Sequence, residues 1–146
     1  MARNKTETKI RVKVPESLSA DERFDVALKM LQYIHDRTNE GKNVYNRKWS
    51  GKAGQYTDAY AKKKGVSTSG PVDLALSREM LGKMQYFSSL SRRGEVVLGF
   101  KNGTKAERKA EGNIQGSYGG DPNPKKARPF LDILQKDVAR IVEDTV

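Results

Sequence analysis

The chain has no cysteine, and its 146 residues include one histidine and one tryptophan. Without thiols it can form no disulfide, no thiolate nucleophile and no cysteine-ligated zinc site. Without a second histidine it cannot build a histidine metal cluster. No apolar run approaches the roughly 18 residues that a membrane helix needs, and the charged N-terminal residues surround no apolar signal core. We therefore expect neither a membrane segment nor a secretion signal.

Positive charge is abundant, with 28 Lys and Arg against 18 Asp and Glu, for a net charge of +10. A basic protein attracts polyanions, so nucleic acid and acidic protein surfaces are both reasonable partners. The length suits one ordinary hydrophobic core. We expect a single domain over residues 1–146, with a flexible arm at 1–7 and long loops at 41–54 and 113–127.

The N-terminal third carries the clearest periodicity. Apolar and basic residues alternate over residues 8–14, which predicts a half-buried strand that pairs within the subunit or with a neighbour. Ser19 and Glu22 have capping-box spacing, and they predict a helix from there to about Thr38. The predicted core face of that helix consists of Phe24, Ala27, Leu28, Leu31 and Ile34.

The middle of the chain predicts shorter elements. A short helix is expected over residues 56–64 and another through Leu74 to Met84, capped near Asp73 or Ser77. A β-hairpin should follow over residues 84–100, because a turn at Arg92, Arg93 and Gly94 precedes an apolar run. A turn at Asn102 and Gly103 comes next. Thr104 and Glu107 predict a further helix of one to two turns that Gly112 would end.

The sequence Ala-Arg-Pro-Phe-Leu at residues 127–131 predicts the start of the last helix. Pro129 suits a first helical turn because its φ is preset and it has no N–H. The apolar spacing then continues through Phe130, Leu134, Val138 and Ile141. The predicted fold class is α+β, a small antiparallel sheet packed against a long helix and a C-terminal helix, with long loops.

Few residues offer catalytic chemistry. His35 lies near the end of the first predicted helix, where it can interact with the last carbonyl groups, and it lacks a partner that would make it a general base. Glu107 and Glu111 share a helix face with basic neighbours, so solvated ion pairs are their expected use. Residues 116–120 are glycine-rich and lack the Gly-Lys-Ser/Thr ending of a phosphate-binding loop. We expect no cofactor and no metal.

Residues 41–64 hold seven basic residues against Asp58 alone. Such cations can neutralise phosphates, and Trp49, Tyr56 or Tyr60 could stack on bases, although aromatics at helical spacing are more often core residues. Trp49 and Tyr45 are expected to pin this long connection to the body of the protein. The candidate contacts to DNA or a protein partner are Lys42, Arg47, Lys48, Lys52, Lys62, Lys63 and Lys64.

Five segments, in order, resemble the virion morphogenesis proteins of tailed bacteriophages, which include tail-completion and neck components. They cover about residues 49–146. The segments are Trp49 with Tyr56, Tyr60 and Lys63-Lys64; Leu74-Ala75-Leu76-Ser77 through Leu81; Val96-Val97-Leu98-Gly99-Phe100; Ala110-Glu111-Gly112-Asn113; and Arg128-Pro129-Phe130-Leu131.

The resemblance implies a non-enzymatic virion protein, assembled in the host cytoplasm, that joins head and tail as a ring of roughly six or twelve copies. Its partners would be further copies of itself, other neck, connector or tail-tube proteins and, non-specifically, genomic DNA. No membrane contact is implied. The residues expected to hold the fold are Trp49, Leu74, Leu81, Gly99, Arg128, Pro129 and Phe130.

Two other functions remain open at this stage. One is a basic module that contacts the DNA backbone through residues 42–64, and it requires salt-dependent affinity of the monomer for DNA. The other is a small hydrolase or nuclease that uses Glu107, Glu111 or Asp73. This enzymatic alternative lacks a recognisable nucleophile, base pair or metal cluster.

Overall fold

A computed structural model describes residues 8–49, 78–115 and 127–146, and these ranges form an α+β fold. A small antiparallel sheet carries the helices on its inner face. The strands are β1 (Lys9–Lys13), β2 (Gln85–Tyr86) and β3 (Glu95–Gly99). The α-helices are α1 (Ala20–Asn39), α2 (Arg78–Leu81), α3 (Lys105–Gln115) and α4 (Gln135–Thr145).

The sheet has the order β1-β3-β2, with antiparallel pairing on both sides of β3. The predicted N-terminal strand is confirmed, and it pairs inside the subunit, with Lys9 opposite Gly99 and Lys13 opposite Glu95. The predicted hairpin also exists, although its first arm is short. A 3-10 helix at Ser88–Leu90 follows β2 and carries the chain to the turn before β3.

Gly99 ends β3 in a backbone conformation with a φ of 152°. A Cβ at this position would collide with the backbone of Thr8 and Lys9 on the neighbouring strand. Because L side chains rarely adopt this φ, glycine is needed for the close approach of the two strands. The Phe100 N–H then donates to the Thr8 carbonyl at 2.8 Å and extends the pairing by one residue.

Helix α1 begins with the predicted capping box, in which Ser19 and Glu22 exchange backbone and side-chain hydrogen bonds. Its core face differs from the predicted one. Phe24 is 49% exposed and Leu28 is 46% exposed, so their predicted burial is wrong. Ala27 and Ile34 are buried as predicted, and α1 also buries Val26, Met30, Arg37 and Thr38.

Helix α3 starts where it was predicted to start and runs further. The Glu107 N–H donates to Thr104 Oγ1, while the Glu107 carboxylate accepts from the N–H of Gly103, one residue before the expected partner. The prediction of one to two turns ended by Gly112 is wrong, because the helix continues to Gln115 and buries Gly112 in its interior. Packing of α3 against α2 outweighs the cost of about 1 kcal/mol that glycine carries in a helix.

The predicted start of the last helix is also wrong. Residues 127–134 lie outside any helix, and α4 begins at Gln135 with Leu134 as its N-cap residue. Phe130 is fully buried in this segment and packs edge-on against Phe100, with ring centroids 6.1 Å apart. The apolar spacing from Phe130 to Ile141 therefore spans two structures. They are the irregular segment 127–134, hereafter the docking segment, and helix α4.

Some predictions fall outside the described residues. They concern the arm at residues 1–7, the helix at 56–64, the part of the second short helix that precedes α2, and most of the loop at 113–127, whose first three residues belong to α3. Among the described helices, none combines the length and apolar character needed to span a membrane.

Candidate functional site

Three side chains form an apolar strip, hereafter the α1 stripe: Phe24 and Leu28 are exposed, and Tyr86 is partly buried against the core. Phe24 and Leu28 lie one turn apart on α1, and the Phe24 ring is 6.2 Å from the ring of Tyr86 on β2. At 100° per residue, the two helical residues lie beside the buried face of α1, because the buried Ala27 is about 60° from Phe24 and the partly buried Leu31 about 20°. They therefore extend the apolar surface of the helix beyond its buried face.

Acidic residues border the α1 stripe. Asp21 and Asp25 are exposed on α1 and lie within about 100° of Phe24 around the helix axis. Asp36 is also exposed, three turns beyond Asp25 on the same side, where it accepts a hydrogen bond from Gln32. The α1 stripe is thus bordered on one side by three aspartates, with the exposed Lys29 among them.

The outer face of the sheet has the opposite charge. The alternation of β1 directs Val12 and Val14 into the core and leaves Arg11 and Lys13 exposed. We call this surface the basic face. It comprises Lys9, Arg11, Lys13, Leu90, Arg92 and Arg93.

Leu90 lies within the basic face and is 44% exposed. Arg11 Nη1 donates to the Leu90 carbonyl at 3.1 Å and to the Glu95 carboxylate at 2.6 Å. The Lys9 ammonium lies 5.0 Å from the centroid of the Phe87 ring. Val97 is buried on this side of the sheet and does not belong to the main core cluster. The basic face therefore has an apolar centre and a rim of cations.

Three of the seven predicted basic contacts lie in the described ranges. Lys42 forms an ion pair with Glu40 at 3.1 Å and a bridge pair with Lys48. Arg47 and Lys48 are exposed. The remaining contacts, Lys52, Lys62, Lys63 and Lys64, lie outside the described residues.

The two aromatic residues of this connection behave differently. Trp49 is partly buried and packs against the core, as expected. Tyr45 is 68% exposed, so the prediction that it pins the connection to the body of the protein is wrong. The tight turn around Tyr45 is held instead by Asn43, whose side-chain oxygen accepts from the N–H groups of Tyr45 and Arg47.

Among the expected fold-holding residues, Leu81, Gly99, Arg128 and Phe130 are buried. The Arg128 N–H donates to the Asn113 carbonyl at 2.6 Å, which ties the docking segment to the end of α3. Pro129 is exposed between its two buried neighbours. Leu74 lies outside the described residues.

Sequence reasoning missed Arg37. Its side chain is buried, and Nη2 donates to the carbonyl oxygens of Phe130 at 2.6 Å and Asp132 at 3.0 Å. Burial lowers the pKa of Arg37, while Tyr33, Asp132 and Asp137 oppose that shift. The signal was present in the sequence, because Arg37 follows Met30 and Ile34 on the buried face at helical spacing.

The side chains considered for catalysis have structural contacts. Glu107 Oε2 accepts from the Thr8 hydroxyl at 2.7 Å and its Oε1 accepts from the Gly103 N–H at 2.9 Å, so this carboxylate ties β1 to α3. His35 Nδ1 lies 3.6 Å from the Asp36 carboxylate. Within residues 8–49, 78–115 and 127–146, no group of three His, Asp or Glu side chains is arranged to hold a metal ion. Asp73 lies outside these ranges.

The described residues present two candidate binding surfaces. The α1 stripe lies on the helical side of the molecule and the basic face on the outer side of the sheet. No protein-family model, curated protein or solved structure matches the chain.

Proposed function

We propose that the chain is a non-enzymatic structural protein of a tailed bacteriophage, part of the neck or tail-completion ring that joins the tail to the head. The observation that carries the proposal is the α1 stripe. Phe24 and Leu28 have the spacing of core residues and yet remain about half exposed in the isolated chain. A protein that functions as part of a permanent assembly keeps such side chains because a neighbour covers them.

The cost of leaving the α1 stripe exposed favours this function. Complete burial of a Leu or Phe side chain stabilises by roughly 1.5–3 kcal/mol, and Phe24 and Leu28, which are 49% and 46% exposed, gain only part of that within the subunit. Contiguous exposed apolar residues with a polar border are typical of protein interaction sites, whereas isolated ones are ordinary. The contact between Phe24 and Tyr86 makes this strip contiguous.

The positions of the motifs that resemble the phage family also support the proposal. Leu81, Phe100 and Phe130 come from three of those motifs, and all three belong to one buried cluster. The resemblance therefore concerns residues that pack together in this fold.

A complementation experiment tests this function. Extracts of phage-infected cells that lack this chain should contain unjoined heads and tails, and adding the purified protein should restore joined particles and infectivity. Electron microscopy of gold-labelled protein should then place the label at the junction between head and tail. If circular dichroism shows that the added protein is folded and it restores neither joined particles nor infectivity, the proposal is contradicted.

A second candidate function, non-specific binding of the DNA backbone, is favoured by the exposure of Arg47 and Lys48 at the start of the basic stretch. It predicts that the monomer binds duplex DNA with an affinity that falls steeply as salt rises. Arg47→Gln and Lys48→Gln together should then weaken binding and reduce the salt slope by about 2. Binding that is absent at low salt would exclude this candidate.

A further inference from the structure

We propose that the α1 stripe of one copy docks onto the basic face of the next copy, head to tail. This inference rests on the proposed function and names the two surfaces through which the ring would close. It commits to a second copy of this chain as the occupant of both surfaces. The apolar centres of the two surfaces, their charges and their placement on opposite sides of the sheet support this docking.

Each surface has exposed apolar side chains at its centre that the other surface could cover. Leu90 is 44% exposed on the basic face, and Phe24 and Leu28 are 49% and 46% exposed on the α1 stripe. Together they are three of the five large apolar side chains that the described residues expose most. Their mutual burial would give the interface the apolar centre and charged rim that protein interfaces commonly have.

The charges around these centres are complementary. Asp21 and Asp25 border the α1 stripe, while Lys13 on β1 and Arg92 and Arg93 in the turn before β3 are exposed cations of the basic face. Within the described residues, Lys13 and Arg92 have no acidic side chain within ion-pair distance, and Asp25 has no basic one. Opposite charges across an interface speed association and fix its register, and like charges in the same places cost several kcal/mol.

The placement of the two surfaces determines the kind of assembly. Helix α1 packs against β2 and β3 on the inner face of the sheet, where Val96 and Leu98 contribute to the core. The basic face is on the outer side. A contact between two different surfaces of the same chain is heterologous, and it generates a closed ring when the rotation between copies divides a full turn.

The apolar centre of the basic face favours protein over nucleic acid as its occupant. A DNA backbone would need only cations, and it would gain nothing from the exposed side chain of Leu90. Arg11 is already paired with Glu95, which reduces the charge available to a phosphate. Phe87 is a poor stacking platform for a base, because the Lys9 ammonium already lies over its ring.

Charge reversal in both surfaces tests the proposal. Asp25→Lys and Lys13→Glu should each weaken self-association by about tenfold or more, and the double variant should recover most of that loss. Glu143→Lys and Lys136→Glu on α4 are matched controls, because both residues are exposed and belong to neither surface. Self-association would be measured by sedimentation velocity and mass photometry, with folding checked by circular dichroism.

The outcomes separate this inference from the proposed function. Weakening by each single change with recovery in the double variant, while the controls match the wild type, supports the docking. A wild-type assembly that neither single change weakens overturns the docking and leaves the ring proposal standing. A wild type that stays monomeric at high concentration and fails to restore joined particles overturns both. If Lys13→Glu abolishes binding to duplex DNA and leaves assembly intact, the basic face binds DNA and the docking is overturned.

Discussion

Helix α1 has two apolar faces, and they meet different environments. Val26, Met30 and Ile34 are fully buried against the sheet and α4, while Phe24 and Leu28 are about half exposed. Both sets recur at four-residue spacing and both are aliphatic or aromatic. The difference lies in how far they are covered, because the sheet and α4 bury the first set completely, while Phe24 lies at the edge of the sheet beside Tyr86 of β2.

The comparison teaches that helical spacing identifies side chains that avoid water without identifying what covers them. Packing within the subunit determines the first face. We attribute the second face to a neighbouring copy. The predictions below test whether the two faces differ as this account requires, beginning with the side chain whose loss should cost the most.

Phe130→Ala should be the most destabilising of these changes. The ring is fully buried against Phe100, so its removal leaves a cavity and should lower the free energy of unfolding by roughly 3–5 kcal/mol. Urea denaturation followed by circular dichroism would measure it. Tyr45→Ala is the control, because that exposed side chain should change stability by about 0.5 kcal/mol or less. A loss below about 1 kcal/mol for Phe130→Ala would contradict the burial of this ring.

Ile34→Ala and Leu28→Ala compare the two faces of α1 directly. Ile34 is fully buried, so its truncation should cost roughly 2–5 kcal/mol of folding stability. Leu28 is 46% exposed, so its truncation should cost the monomer about 1 kcal/mol or less. Both values come from urea denaturation at a concentration where the protein is monomeric. Equal losses would mean that the two faces are not distinct.

Glu107→Ala tests whether a polar contact also holds the buried region together. The change removes the acceptor of the Thr8 hydroxyl and of the Gly103 N–H, and it should cost roughly 1–2 kcal/mol. Amide hydrogen exchange should become faster at the start of β1, and exchange in α1 should change less. Arg108→Ala, on an exposed position of the same helix, should leave both quantities nearly unchanged. Unaltered exchange in β1 would show that apolar packing alone fixes this strand.

The sequence predicted the elements whose local signals agree with their tertiary contacts. The alternation in β1 and the capping box of α1 are examples, and both were confirmed. The sequence-based predictions were wrong where tertiary packing, rather than the local sequence, determines where a helix begins or ends. Gly112 looked like a helix end and is buried inside α3, and Pro129 looked like a helix start and precedes α4 by six residues.

The candidate surfaces were harder to predict than the fold. Phe24 and Leu28 were predicted to be core residues because periodicity cannot distinguish the core of a subunit from an interface. The basic face combines β1 with a turn about 80 residues later in the chain, and only the pairing of β1 with β3 brings them together. The basic stretch at residues 41–64, in contrast, can be recognised from the sequence because its charges are adjacent along the chain.

The mass of the assembled protein tests the central claim most directly. Mass photometry would compare the wild type with Phe24→Ser and Leu28→Ser combined, at equal concentration and with equal circular dichroism spectra. The account predicts a ring for the wild type and a monomer for the double variant, because the α1 stripe supplies the contact between copies. Identical masses for the two proteins, whether both are rings or both are monomers, would contradict it.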